Sequence, residues 1–596
     1  MEGVDIESPD YLILARALGC QAAANGDGDQ LSRLVVESGR LDVRLAIDIG
    51  EADWRRQSSV TLRGQSCDKP ERGGQVERSQ GQRGVAVNDG VFWQGGDSRW
   101  DAVRSITPLT RTIRADVCVV GGGFTGLWSA LSLKKQASEL DVVLLEQTYC
   151  GHGASGRNGG WLNAWDDILP TLAGLYGPSD ALAVLDLSHR SLSDLTQVVS
   201  DGAIDCDMSM GGGLIVATSE AQLGGVLATV AGMEAAGRGG LVRLLSAEEA
   251  GQMSGIPEAT GGYLLEQAGS VQPALLAQGL RRLAEAAGVQ VFEASPMVKL
   301  HRDAPAVIDT LAGSVIADQV VLACGSWLAR VSELRRTLFI IPTHVIATEP
   351  CAGDLDALGW THGRPFADAR TAVHYGQRTA DHRMVFGRGG GRLGFAGHII
   401  PEHFHDRRET REIAEDLQRM MPRLKSARID WAWGGPIDRS QHGMPWVGGI
   451  GRHRNIHYGV GYAGNGVVPS HVIGRTLASV TLGLDDDYSR SPLVSDPPSY
   501  LPIEPIRSAG ARLVRSAVIR CEEREDAGRV PDPASRVLRR ALGLSMPKGV
   551  QLAPLAERVT GMTTFARRGD GGRAQGADEH GRAFDSTTDS GGSDAE

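Results

Sequence analysis

The chain has 596 residues, 41% hydrophobic and 22% charged, which excludes a wholly disordered or collagen-like protein and leaves room for a sizeable core. A formal net charge of -11 argues against a nucleic-acid surface running over the whole molecule. Eight cysteines lie far apart with no C-x-x-C pair, so neither a disulfide scaffold nor a metal site is expected.

Residues 1–87 hold short apolar patches and then a polar stretch from Asp53 to Gly84, too poor in apolar residues to offset the entropy of ordering it, so this extension is expected to be largely disordered. Its first residues are acidic rather than basic-then-apolar, and no apolar run approaches the ~18 residues of a membrane span. A cytoplasmic protein without a transmembrane segment is the expectation. Glycine, at 78 of 596 or about 13%, is in excess of the usual value of about 7% and needs addresses.

The first strong element is the β-branched run 115–120, which reads as a buried parallel strand. It ends in a G-x-G-x-x-G turn, Gly121, Gly123 and Gly126, enclosing Phe124 and Thr125. A helical pattern follows over 127–135, then a second strand over 141–145 that terminates in Glu146. Strand, glycine turn, helix, strand and acid are the parts of a dinucleotide site: Gly121 allows the tight turn, Gly123 lets pyrophosphate approach the main chain, and Gly126 lets the helix pack on the sheet. Glu146, 20 residues after Gly126 (146 − 126), can accept the ribose hydroxyls. A carboxylate there disfavours a 2′-phosphate.

The fingerprint alone does not separate FAD from NAD. The next loop does: Gly153, Ala154, Ser155, Arg157, Asn158 and Gly159 lie in a glycine-rich stretch whose backbone N–H groups could line an extended cofactor. At this point the chain resembles the glycine oxidase and D-amino-acid oxidase superfamily of FAD-dependent amine oxidoreductases, and within it the γ-glutamylputrescine-oxidoreductase-like branch. The resemblance starts near Phe92 and Trp93 and spans about 390 residues. It continues through the strand that ends in Ala323, Cys324, Gly325 and Trp327, where Cys324 replaces the usual Thr. It then takes in 433–438 and 443–448 and closes on the motif at 461–470, with Gly464, Asn465, Gly466 and Val467. There a strand, a Gly/Asn turn and a helix aim another helix N-terminus at the cofactor, where it could stabilise negative charge on a reduced flavin. The resemblance also implies that Val298 lies over the adenine by backbone contact.

Strands at 213–218 and 262–266, and an antiparallel-looking set at 338–348, 372–375 and 384–387, suit a separate substrate layer. The expected architecture is α/β. A Rossmann-like, glutathione-reductase-like FAD-binding domain (88–205, 271–336 and 429–485) carries an inserted antiparallel-sheet substrate domain (206–270 and 337–428). A C-terminal helical extension over 486–566 and a disordered tail over 567–596 complete the chain. In the extension, Leu513, Val514, Ala517, Val518 and Cys521 form one helical face expected to dock on the domain, with Arg512, Arg515 and Arg520 solvated.

What the resemblance implies chemically is oxidation of the C–N bond of a small amine or amino acid to an imine, by hydride transfer to FAD, with O2 or another carrier taking the electrons. Tyr375 and His374, alternating on one strand, and Trp433, which could wall the flavin, are the candidate catalytic residues; the alternation makes exposure the competing reading for His374. No Lys lies between Lys299 and Lys425, so the oxygen-activating Lys of some relatives has no counterpart there. No Cys lies between Cys351 and Cys521, so the FAD is expected to be non-covalent. Two rivals stay open at this level: a catalytically inactive FAD-binding protein with a regulatory or interaction role, and a nicotinamide-only dehydrogenase.

Overall fold

The run ending at Val120 forms the strand Thr112–Val120, whose last four residues are buried. In the computed structural model, which describes residues 87–543 except 104–105, 361–362 and 498–499, this strand is near the centre of an eight-stranded sheet. Five of its strands run parallel in the order Gln290–Phe292, Val142–Leu145, Thr112–Val120, Ser314–Leu322 and Ile456–Val460. Helix Phe124–Gln136 follows the glycine turn, and helix Val467–Leu482 packs on it so closely that a Cβ at Gly474 would lie 2.6 Å from Trp128 Cβ. Helix Pro273–Ala286 opens on its proline, with the Gln272 side chain accepting from Leu275 N. Towards the N-terminus only the backbone of an antiparallel trio, Cys20–Ala24, Arg33–Ser38 and Arg44–Asp48, is described. The rest of 1–86, and the tail from 544, lie outside the described residues. Among the described residues no helix is long and apolar enough to cross a membrane.

The substrate layer is a second eight-stranded sheet in the order Ile429–Arg439, Phe339–Thr348, Met384–Gly389, His374–Arg378, Phe366–Asp368, Gly213–Ala217, Gly261–Leu265 and Val242–Leu245. It is antiparallel except where Phe366–Asp368 runs parallel to Gly213–Ala217. One boundary differs from the sequence reading. Strand Ile429–Arg439, assigned there to the third FAD piece, is the edge strand of this sheet and pairs along Phe339–Thr348. The crossing back to the FAD sheet comes only after it, where Arg439 bridges to Tyr462.

His374 corrects a second expectation. It does alternate away from Tyr375, but that face is covered by helix Arg407–Met420, so it is buried rather than exposed. Its Nδ1 lies 2.7 Å from Asp368 Oδ2 and its Nε2 3.0 Å from Asp416 Oδ2. Arg388 ties the same helix down through Glu409, Glu412 and Asp416. Burial by itself would lower the His374 pKa, but the two carboxylates outweigh it and raise it. A raised imidazole pKa contributes stability below the unfolded value of about 6.5, and that contribution is lost as pH rises through the native pKa. His374→Ala should therefore cost about 3 kcal/mol at pH 6, with a smaller cost at alkaline pH and flavin content unchanged; denaturant melts across pH check this.

Candidate active site

Gly121 turns at φ +112°, and a Cβ there would sit 2.5 Å from the Ala323 carbonyl oxygen; at Gly126 it would lie 1.9 Å from the Gly121 carbonyl oxygen. Only glycine allows this strand-to-helix passage. The turn opens into a cavity of about 1200 Å³ that runs from the FAD sheet to the substrate sheet. Every cofactor residue expected from the sequence lines it except Gly126, whose part is packing beneath the helix. At Gly123 a Cβ would point at Ser155 Oγ, 3.0 Å away, and that hydroxyl accepts from Phe124 N at 2.8 Å.

The Glu146 carboxylate accepts from Gly122 N (2.7 Å) and Thr148 N (3.0 Å). Burial raises its pKa, and these two N–H groups work against that rise. It is thereby fixed at the strand end beside the turn. On the opposite wall Asp438 accepts from Gly461 N through its carboxylate and from Ala463 N through its carbonyl, which sets the Gly/Asn turn before helix Val467–Leu482. The Thr125 and Tyr462 hydroxyls meet at 2.5 Å and join the first dinucleotide helix to that closing turn. A helix N-terminus and a glycine cradle from one end of the sheet thus face the same cavity as Glu146, which fits an adenine dinucleotide.

The loop after Glu146 is held more tightly than its glycines suggest. Trp93 Nε1 donates to the Asn158 carbonyl and Trp433 Nε1 to the Arg157 carbonyl, each at 2.8 Å. Arg157 Nε donates to the His152 carbonyl and Nη1 to that of Gly434. Asn158 spends its side-chain amide on the Ala154 and Ser155 carbonyls and its oxygen on Gly160 N. Trp433 therefore departs from its expected part. Its ring packs with Phe92 and Trp93 under the short helix Phe92–Gly95 and is outside the cavity lining. Val298 lines the cavity, and its N–H donates to the Asp309 carbonyl, so of its backbone groups the carbonyl is the one left for a cofactor. Cys324 is a cavity residue whose thiol donates to the Val120 carbonyl and is pushed up to about 12 by burial, so it is a neutral thiol.

At the substrate end stands Tyr375. Its ring is clamped between two glycines, since a Cβ at Gly159 or Gly387 would come within 2.7 or 2.4 Å of it. Thr343 Oγ1 donates to the Arg388 carbonyl, so the Tyr375 hydroxyl, 2.7 Å away, donates to Thr343 and keeps its lone pairs for the cavity. Burial pushes the phenol up to about 12, which rules it out as a phenolate base near neutral pH.

Asp167 is the functional candidate that sequence reasoning missed. It sits in the turn Asp166–Ile168, which two residues separate from the short strand Trp161–Asn163. Its neighbour Asp166 is buried against His189 Nε2 at 2.8 Å, whereas Asp167 faces the cavity together with Trp161 and Ile215. Burial first, and the charge of Asp166 second, raise its carboxyl to about 7. Nothing in the pattern distinguishes these adjacent acids; a helical turn decides which one faces inward.

The family model described as "FAD dependent oxidoreductase" matches residues 116–480. γ-Glutamylputrescine oxidoreductase of Escherichia coli (strain K12) is 32% identical over 378 residues, covering 63% of this chain and 85% of its own. Glycine oxidase of Bacillus licheniformis is 25% identical over 382 residues, covering 62% and 94%. The crystal structure of glycine oxidase from Geobacillus kaustophilus superposes with a TM-score of 0.53 at 20% identity, over 64% of this chain and 98% of that one, a likeness of fold. The match reaches from the first dinucleotide strand through the closing helix, across both sheets that wall the cavity, and on that footing the chain belongs to the DAO family of FAD-dependent oxidoreductases.

Proposed function

We propose that this FAD-dependent oxidoreductase oxidises the carbon–nitrogen bond of a small amine to an imine, with the cofactor held without a covalent bond. The amine enters as its ammonium ion and gives up a proton to solvent before its carbon yields hydride, and the imine's remaining proton balance is likewise met by solvent. The observation that carries this reading is the continuity of one cavity from the glycine cradle to Tyr375 and Asp167. Bound FAD supplies the two-electron acceptor, and the chain supplies binding, orientation and charge. Gly121, Gly123 and the N-terminus of helix Phe124–Gln136 would hold the pyrophosphate, Glu146 the ribose, and the N-terminus of helix Val467–Leu482 the flavin end. Asp167, once ionised, attracts the ammonium of an incoming amine in a partly desolvated site, where a charge-assisted bond is strong. Tyr375, neutral and with its proton directed to Thr343, offers an acceptor to a substrate N–H. Family relatives named for γ-glutamylputrescine and glycine support a nitrogen-bearing substrate. No observation in the cavity favours an inactive FAD-binding role.

Anaerobic addition of diamines, monoamines, N-methyl glycines and D-amino acids to the purified yellow protein tests the reading. Bleaching of the flavin band by amines is the expected result, and a full panel without bleaching defeats it. Reoxidation in air, measured after such reduction, separates O2 from another carrier as acceptor. The expected cytoplasmic location is checked by fractionating cells. Tyr375→Phe should lower kcat/KM by about fivefold, the value of one neutral hydrogen bond, with flavin content intact. A loss beyond about a hundredfold would assign the phenol an acid–base part instead.

A further inference from the structure

The cavity has a wall that the family match does not include. That match ends at residue 480, yet helix Ile506–Asp526 returns across the substrate layer and lines the cavity. The residues of this helix that line the cavity fall in two adjacent rows stepping by about one turn, Ile506, Gly510, Val514 and Val518 beside Arg507, Ala511, Arg515 and Ile519, with Ile506 exposed at the rim. Apart from the two arginines the face is alkyl. The guanidinium groups of those two are already engaged, Arg507 with Glu504 and the Arg335 carbonyl, Arg515 with Glu409 and the Gly390 carbonyl, which leaves the alkyl rows as the open part of the wall.

The helix is also fastened at both ends to segments that line the same cavity or flank it. Glu522 accepts from Thr371 N at 2.7 Å and Ala372 N at 3.2 Å, both on the cavity rim, and Arg370 pairs with Asp526 at 3.0 Å. Near the other end Ser508 Oγ accepts from Ala396 N. Leu501 and Arg336 exchange two hydrogen bonds just before the helix begins. Such tethering suits a fixed wall rather than a loose appendage.

From this placement we infer that helix Ile506–Asp526 is a specificity-determining wall of the reaction chamber, selecting amines by the length and bulk of an aliphatic stem laid against Val514 and its neighbours. The inference rests on the proposed amine oxidation. Gly510 gives a clean test, because a Cβ there meets nothing within 4 Å and a helix interior tolerates a side chain better than glycine. Gly510→Phe and Val514→Phe narrow the chamber from one face, and Gly510→Ala serves as control.

The measurement is kcat/KM of the full-length holoenzyme across a series of linear amines of increasing carbon number, with flavin stoichiometry and melting temperature recorded for each variant. We expect both Phe variants to keep full FAD, to leave the shortest amines within about twofold, and to lower kcat/KM for the longest by about tenfold or more, chiefly through KM. The Ala control should match the wild type. An unchanged length profile in both Phe variants, with the wild type active on amines, overturns the wall alone. A wild type that no amine reduces overturns the amine reading and the inference with it.

Discussion

Gly123→Val should purify colourless, with FAD affinity lowered by about a hundredfold or more. Pyrophosphate has to come against the main chain at the head of helix Phe124–Gln136, and Gly123 is the N-cap of that helix. Even one added carbon there would stand 3.0 Å from Ser155 Oγ, the group that accepts from Phe124 N. A branched side chain must displace that hydroxyl and fill the approach itself. Overpacking of this kind costs about 3 kcal/mol, which is about a hundredfold in binding. Because a ligand bound only to the native state stabilises it by mass action, the variant should also melt further below the holo wild type than below the apo wild type, the smaller gap being the cost of displacing the Ser155 hydroxyl. Gly225→Ala, in helix Glu220–Ala235 where a Cβ meets nothing, should leave FAD content unaltered and guard against a general effect of removing glycine. Full flavin occupancy in Gly123→Val would displace the cofactor from the place assigned to it.

The FAD half was legible because its constraints are local and backbone-based. A phosphate turn needs glycine at fixed offsets, and Gly121 and Gly126 show why at the level of single contacts. The same holds for Glu146, set by the length of one βα unit. Where a role depends on which neighbour covers a face, sequence spacing is silent. His374 and Tyr375 alternate as expected, but helix Arg407–Met420 lies over one side and the cavity over the other, so one residue is structural and the other faces the site. Trp433, expected to wall the flavin, lies outside the cavity lining. In the fold it is a clamp, because Phe92 and Trp93 come from outside the dinucleotide units to pack on it. The C-terminal helix illustrates the same limit: its apolar positions include Leu513, which is 57% exposed, while Arg515, expected in solvent, lines the cavity and binds Glu409. A stripe identifies a helix well and its partner poorly.

Asp167→Asn is expected to remove the acid limb of the kcat/KM profile and to lower kcat/KM for amines by about ten- to a hundredfold at pH 8, the worth of a hydrogen bond to a charged group. The free enzyme binds a cationic amine well only with this carboxylate ionised. Since burial and the neighbouring Asp166 raise its pKa to about 7, wild-type kcat/KM should climb through about pH 7 and the variant's should not. The groups around it are Asp166, itself bound to His189, together with Asn163 at 3.5 Å and the buried phenol of Tyr263. His189 also has a raised pKa: burial alone would lower it, and the Asp166 pair more than offsets that. A limb surviving in Asp167→Asn but lost in His189→Gln would therefore reassign the titration. Stability supplies an independent sign. A carboxyl whose native pKa exceeds its unfolded value of about 4 keeps its proton longer in the folded state, so stability falls as pH rises from about 4 to about 7 and stays lowered above that. The Asn variant should lack this fall and melt no lower than wild type at pH 8. Weaker amine turnover together with an equal or higher melting temperature is the combination expected of a carboxylate kept for binding at a cost in stability. A variant that melts lower and loses turnover on every substrate alike would instead mark Asp167 as structural.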